Sequence, residues 1–136
     1  MAEEYDIVNP SHYKYAGDYE HCKVAEDWKL GAQLYNATRY ICRVGRKPGT
    51  DSIKELEKAC WYLERFIWLV REKDWDIGFT SPCKKLDSAD VCVAWQLPLN
   101  LALAVMRIGD CYRLEDVSML EDALHFVKEH IVLLPR

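Results

Sequence analysis

The sequence lacks most of the features that assign a small protein quickly. It holds only 6 Gly and 5 Pro in 136 residues, too few for a collagen-like or low-complexity chain. It has no run of about 18 apolar residues, so no transmembrane span is expected. It has no GxxxxGK[ST] stretch, which excludes Walker-type phosphate binding. No two cysteines stand at the CxxC spacing of a zinc knuckle or a redox site, and His12, His21, His125 and His130 are scattered. A basic excess is also missing: the net charge is -4 and the pI about 5.6. That balance argues against a nucleic-acid binder but leaves room for a local basic patch that holds a small anion. The opening residues MAEEYDIVNPSHY are acidic and polar, unlike a signal peptide. Cys22, Cys42, Cys60, Cys83, Cys92 and Cys111 are therefore expected as free thiols, mostly buried, in a reduced cytoplasmic setting.

What is present suits one compact domain over residues 1–136: half the residues are hydrophobic and 29% are charged. No long stretch alternates with period 2, so the chain reads as all-α, with an extended arm over residues 1–18. Helices are expected over about 18–27, 30–44 and 51–74, with Gly45 as a left-handed cap and Asp51 or Thr50 as an N-cap. In the third of these, Ile53, Leu56, Cys60, Leu63, Ile67 and Val70 step by three and four and make one apolar face. Residues 75–86 read as a connection. Asp87 or Ser88 then caps a short helix, Pro98 opens another that runs to Arg107 and ends at Gly109, and a last helix covers about 115–133.

Residues 36–70 laid on 100–134 match without a gap. The identical pairs include Asn36/Asn100, Arg43/Arg107, Gly45/Gly109, Leu56/Leu120, Glu57/Glu121 and Ala59/Ala123. Apolar positions of two amphipathic helices coincide easily, but the Asn, Arg and Gly pairs fall on polar or turn positions. The pattern predicts two helical hairpins from a degenerate internal repeat, each burying the other's apolar stripe in a small bundle. The first repeat spans 8–74 and the second 87–134. Arg39, Tyr40, Lys47 and Trp61 are answered in the second by Leu103, Ala104, Cys111 and His125, so the first hairpin reads as the working copy.

In that copy Arg39, Arg43, Arg46 and Lys47 stand at i, i+4, i+7 and i+8, one face of a continued helix. Four cations on one stripe suit a phosphate chain, whose oxygens arginine forks grip in pairs. The plainer alternative is that they offset the helix dipole. Lys54 and Lys58 on the next helix are further candidate donors. Tyr13, Tyr35, Tyr40, Trp61 and Tyr62 offer flat surfaces for a nucleobase, although core packing is favoured for Trp61 and Tyr62. His12 has the side chain for proton transfer near neutral pH.

Several segments together resemble a phage-associated family of small proteins that includes the C-terminal region of the T7-type nucleotide kinase, which has no P-loop. The segments are Asn9-Pro10-Ser11-His12-Tyr13, then Glu20, then Tyr35-Asn36, Arg39-Tyr40, Arg43, Gly45 and Lys47, and finally Glu55-Leu56-Glu57-Lys58-Ala59-Cys60-Trp61-Tyr62-Leu63. The resemblance covers about residues 8–70. It departs from the family pattern at Tyr35 (Gly in the family), Arg39 (Lys) and Glu55 (Asp). It implies phosphoryl transfer from a nucleoside triphosphate to a nucleoside monophosphate, a deoxynucleotide for preference, with Mg²⁺ as a companion of the donor and no residue assigned as a metal ligand. On that reading His12, Arg43 and Lys47 are catalytic. Asn9, Ser11, Tyr13, Glu20, Asn36, Arg39, Tyr40, Lys58 and Tyr62 bind substrate: Arg39 and Lys58 at the phosphates, Asn36 at the sugar or phosphate, Tyr13 over the ligand, and Glu20 at a base or donor. A homo-oligomer in the host cytoplasm is expected.

Three other functions compete. The same pocket could sequester a nucleotide or cyclic nucleotide without turning it over. An all-α nucleoside triphosphate pyrophosphohydrolase would need clustered carboxylates around Mg²⁺, for which Glu55, Glu57 and Glu64 lie on the right helix but only Glu57 and Glu64 share a face. A purely structural assembly role is the last.

Overall fold

The computed structural model describes residues 17–44, 46, 51–75, 86–114 and 116–135. Among these the chain is an all-α bundle of six α-helices with no strand: α1 (His21–Trp28), α2 (Ala32–Cys42), α3 (Ser52–Lys73), α4 (Ser88–Ala94), α5 (Leu99–Leu114) and α6 (Ser118–Leu133), preceded by a 3₁₀ turn at Gly17–Tyr19. The N-terminal arm, the Gly45 cap and most of the 75–86 connection lie outside the described residues.

Local chemistry sets the helix ends. The Asp51 carboxylate accepts from the Ile53 and Lys54 amides at 2.9 and 3.4 Å and starts α3. Asp87 does the same for α4 through Ala89, at 2.8 Å. α1 ends on Lys29 in the left-handed region (φ 53°) and α3 on Asp74 (φ 52°). The expected end of α5 at Gly109 is corrected: the helix continues to Leu114. Glycine in a helix interior costs about 1 kcal/mol relative to alanine, and close packing of α5 on α6 outweighs that.

The bundle consists of two hairpins, α2–α3 and α5–α6, packed together through α3 and α6, with α1 and α4 at the sides. The matched repeat positions share their burial. Ile41 and Val105, Leu56 and Leu120, Ala59 and Ala123, and Leu63 and Val127 are all fully buried. Glu64 and Lys128, which are equivalent under the 64-residue offset, form an ion pair with each other at 3.3 Å. A residue that touches its own equivalent lies at a two-fold axis, so the two hairpins are related as the halves of a symmetric dimer are. Arg71 pairs with Glu121 on the same antiparallel register.

Hydrogen bonds tie α1 and the turn before it to the residues flanking α4. Trp28 Nε1 donates to the Leu86 carbonyl at 2.9 Å, the Leu86 amide donates to Asp27 Oδ2 at 3.0 Å, and Trp95 Nε1 donates to the Tyr19 carbonyl. Among the described residues Cys42, Cys60, Cys92 and Cys111 are buried and form no disulfide, while Cys22 is exposed. Burial pushes the Cys60 thiol up to about 11 and the Cys92 thiol up to about 12, which keeps both protonated and unreactive. Among the described residues no helix is long and apolar enough to cross a membrane.

Candidate functional site

The seam between the end of α2 and the start of α3 gathers the charged residues of the first hairpin. Arg43 follows the last residue of α2 and turns its guanidinium onto Glu55 in the first turn of α3. Its Nε and Nη2 donate to the same carboxylate oxygen, Oε2, at 2.8 and 2.7 Å. Both side chains are more than nine-tenths buried. The other oxygen, Oε1, lies 3.5 Å from Lys58 Nζ, one helical turn further on. The Tyr40 ring forms the floor of the cluster. The Arg43 guanidinium carbon lies 4.6 Å from its centroid, that of Arg39 5.3 Å and Lys58 Nζ 5.5 Å. The Tyr62 ring stacks on the opposing ring at 6.0 Å and 17°.

Three cations therefore surround one aromatic ring with one carboxylate between them, a surplus of two positive charges. Arg39 carries part of this surplus. Among the described residues it has no carboxylate partner, and its buried Nε has no hydrogen-bond acceptor. It also acts on its other neighbour. His21 is buried, with Nε2 2.8 Å from Thr38 Oγ1, and its ring lies edge-on to Tyr35 at 4.8 Å. The same Thr38 hydroxyl lies 2.8 Å from the Leu34 carbonyl and 3.1 Å from the Tyr35 carbonyl. Burial first, and then the charge of Arg39, lowers the His21 pKa to about 4, against a hydrogen bond with the Tyr35 backbone. The imidazole is thus neutral at physiological pH.

Of the residues expected at a binding site, the fold brings together Arg39, Tyr40, Arg43, Lys58 and Tyr62. Asn36 lies one turn before Arg39 and donates back to the Ala32 carbonyl at 3.0 Å. Glu20 stands at the N-cap of α1, where its carboxylate makes no capping hydrogen bond and lies 4.0 Å from the Cys22 thiol, apart from the Tyr40 cluster. Asn9, Ser11, His12, Tyr13 and Lys47 lie outside the described residues. The four-cation helix face is corrected. α2 ends at Cys42, so Arg46 leaves its line and donates through Nη2 to the Trp95 carbonyl at 2.9 Å and to Gln96 Oε1 at 3.1 Å. The favoured core position of Trp61 is corrected too: it is 59% exposed, with its ring edge-on to Tyr62 at 5.1 Å on the outer rim of the cluster. Glu55, Glu57 and Glu64 do not converge. Glu55 is buried in the seam, while Glu57 is exposed and Glu64 is held by Lys128.

Sequence reasoning missed the part played by Glu55 and His21. A signal for Glu55 was present: with Ala59, Tyr62 and Phe66 it steps by four, three and four along α3, a second inward line beside the apolar one. His21 left no comparable trace, because its partners Thr38 and Tyr35 come from the next helix.

The fold and this seam define a small all-α protein with a cation-rich aromatic cluster. Residues 7–64 match a family described as a protein of unknown function, DUF3310. The matched stretch takes in the Asn9–Tyr13 motif, α1, α2 and the first half of α3, and so includes every member of the cluster. No curated protein and no solved structure matches the chain.

Proposed function

We propose that this protein binds a nucleotide at the α2–α3 seam and, as its sequence resemblance implies, transfers a phosphoryl group to a nucleoside monophosphate without a P-loop. The observation that carries the binding half of the proposal is the surplus of cations around Tyr40. Arg43 and Lys58 share Glu55, while Arg39 has no counter-ion among the described residues. A phosphate at the rim would take Arg39 and Lys58 as charge-assisted donors. Arg43, already held on Glu55, would fix the depth of the pocket and add to the field. Tyr40 and Tyr62 supply aromatic surface beside the cations, where a base could stack. Phosphoryl transfer asks the protein mainly for positioning and for neutralisation of developing charge, which are what arginine and lysine provide.

Isothermal titration with nucleoside mono-, di- and triphosphates, with and without Mg²⁺, tests the binding. Arg39→Ala is expected to weaken it about 10- to 100-fold, as loss of a charged hydrogen bond worth roughly 1.5–3 kcal/mol requires. An unchanged affinity places the ligand elsewhere. Incubation of a monophosphate with a triphosphate then tests the chemistry. Diphosphate products support the kinase, and recovery of unchanged nucleotide reduces the activity to sequestration.

A further inference from the structure

The outer face formed by α3 and α6 carries large exposed apolar side chains that the core does not use, and only Trp61 among them touches the seam, edge-on to Tyr62. Trp61 and Trp68 stand two turns apart on α3, 59% and 41% exposed, and Val132 on α6 is 77% exposed. Arg65 lies between the tryptophans, with its guanidinium carbon 4.7 Å from the Trp68 centroid and no carboxylate partner among the described residues. The internal two-fold axis at Glu64 and Lys128 passes through this face. It relates Arg65 to Glu129, Trp61 to His125 and Trp68 to Val132. The α3 half of the face is thus aromatic and cationic. The α6 half holds an anion, Glu129, whose one ion-pair contact among the described residues is His125, 3.9 Å away.

We infer that this face docks against the same face of a second copy of the chain. Charge complementarity selects that occupant. A copy turned by 180° about a line lying in the face and running along the helices sets its α3 on the first copy's α6. At a rise of about 1.5 Å per residue from the axis, Arg65 then falls about 3 Å along the helices from Glu129 of the second copy. On the same count Trp61 falls about 1.5 Å along the helices from Val132 of the second copy, and Trp68 about 1.5 Å from its His125. Each contact occurs twice, so one self-complementary patch supplies two ion pairs, two Trp–Val contacts and two Trp–His contacts, as an isologous interface requires. The patch adjoins the Tyr40 cluster at Trp61, whose ring meets that of Tyr62 edge-on at 5.1 Å.

Light scattering across a dilution series of the full chain tests the assignment. The wild type is expected at twice the 15.9 kDa chain mass. R65E and E129R should each give single chains, and R65E/E129R should restore the dimer with the charges exchanged. Val132→Asp, at a fully accessible position, should also give single chains and serves as an independent disruption if R65E loses helical circular dichroism. A wild type that stays at one chain mass overturns the inference. So do single exchanges that leave the assembly intact, or a helical double exchange that stays monomeric.

Discussion

At the scale of single residues, Glu55 has more interactions than its carboxylate would have alone in the seam. It receives two hydrogen bonds from Arg43, which is buried with it, and lies within reach of Lys58, which is half-exposed. A buried ion pair contributes little over an apolar replacement, but removing one partner leaves the other charge stranded. Glu55→Gln keeps the shape and removes the charge. It is expected to destabilise the fold by about 3–5 kcal/mol, read from denaturant midpoints. A change below about 1 kcal/mol would mean that Arg43 finds another counter-ion. His21 gives a pH signature. Its unfolded-state pKa is near 6.5, and in the fold burial and Arg39 lower it to about 4. Between these values the unfolded chain binds a proton that the folded chain does not, so stability rises with pH across that window and is lost as pH falls through it. The full shift corresponds to about 3 kcal/mol. His21→Gln retains a hydrogen-bonding partner for Thr38 and should flatten the difference in stability between pH 7 and pH 4. Parallel stability curves for the two proteins would show that other groups carry the acid sensitivity.

At the scale of elements, α3 positions both the seam and the bundle contact, and the Asp51 cap sets where it begins. Asp51→Ala removes acceptors from the Ile53 and Lys54 amides at the turn that carries Glu55. A loss of about 1 kcal/mol is expected, seen as a lower melting temperature, with nucleotide affinity reduced by less than Arg39→Ala reduces it. The cap at Asp51 and the apolar line from Ile53 to Val70 were legible in the sequence because both depend on neighbours within one helix. Leu56, Cys60 and Leu63 of that line are buried as the period requires. The second inward line, Glu55 to Phe66, was present in the spacing but masked by the charge at its head. It exists because α3 packs on α2 as well as α6, and a charged residue reads as surface until a partner such as Arg43 arrives from another helix. The same cause hid Trp61. Its size argues for burial, and only the packing of α3 shows that its direction is outward. Gly109 and Arg46 failed for a related reason, since capping and helix continuation were judged locally and tertiary contacts decided both.

At the scale of the whole molecule, the two-fold relation between the hairpins raises the question of a second site. The answer lies in how the equivalent seam is filled. Arg107, the equivalent of Arg43, has Asp122 Oδ2 3.8 Å from its Nε, and Asp122 stands where the first hairpin has Lys58. The positions of Arg39, Tyr40 and Glu55 hold Leu103, Ala104 and Met119. Among the described residues the second seam therefore sets one cation against one anion over an apolar floor, with no positive surplus for a phosphate. The core positions kept their character in both halves while the charged rim did not, which separates what the bundle needs from what a ligand needs. One nucleotide per chain is accordingly expected in a calorimetric titration, and two per dimer if the outer face assembles as inferred. Arg107→Ala should leave the affinity as it is. A stoichiometry of two per chain, or an affinity that falls with Arg107→Ala, would show that the cation surplus is not what selects the ligand and would shift the site toward features the two hairpins share.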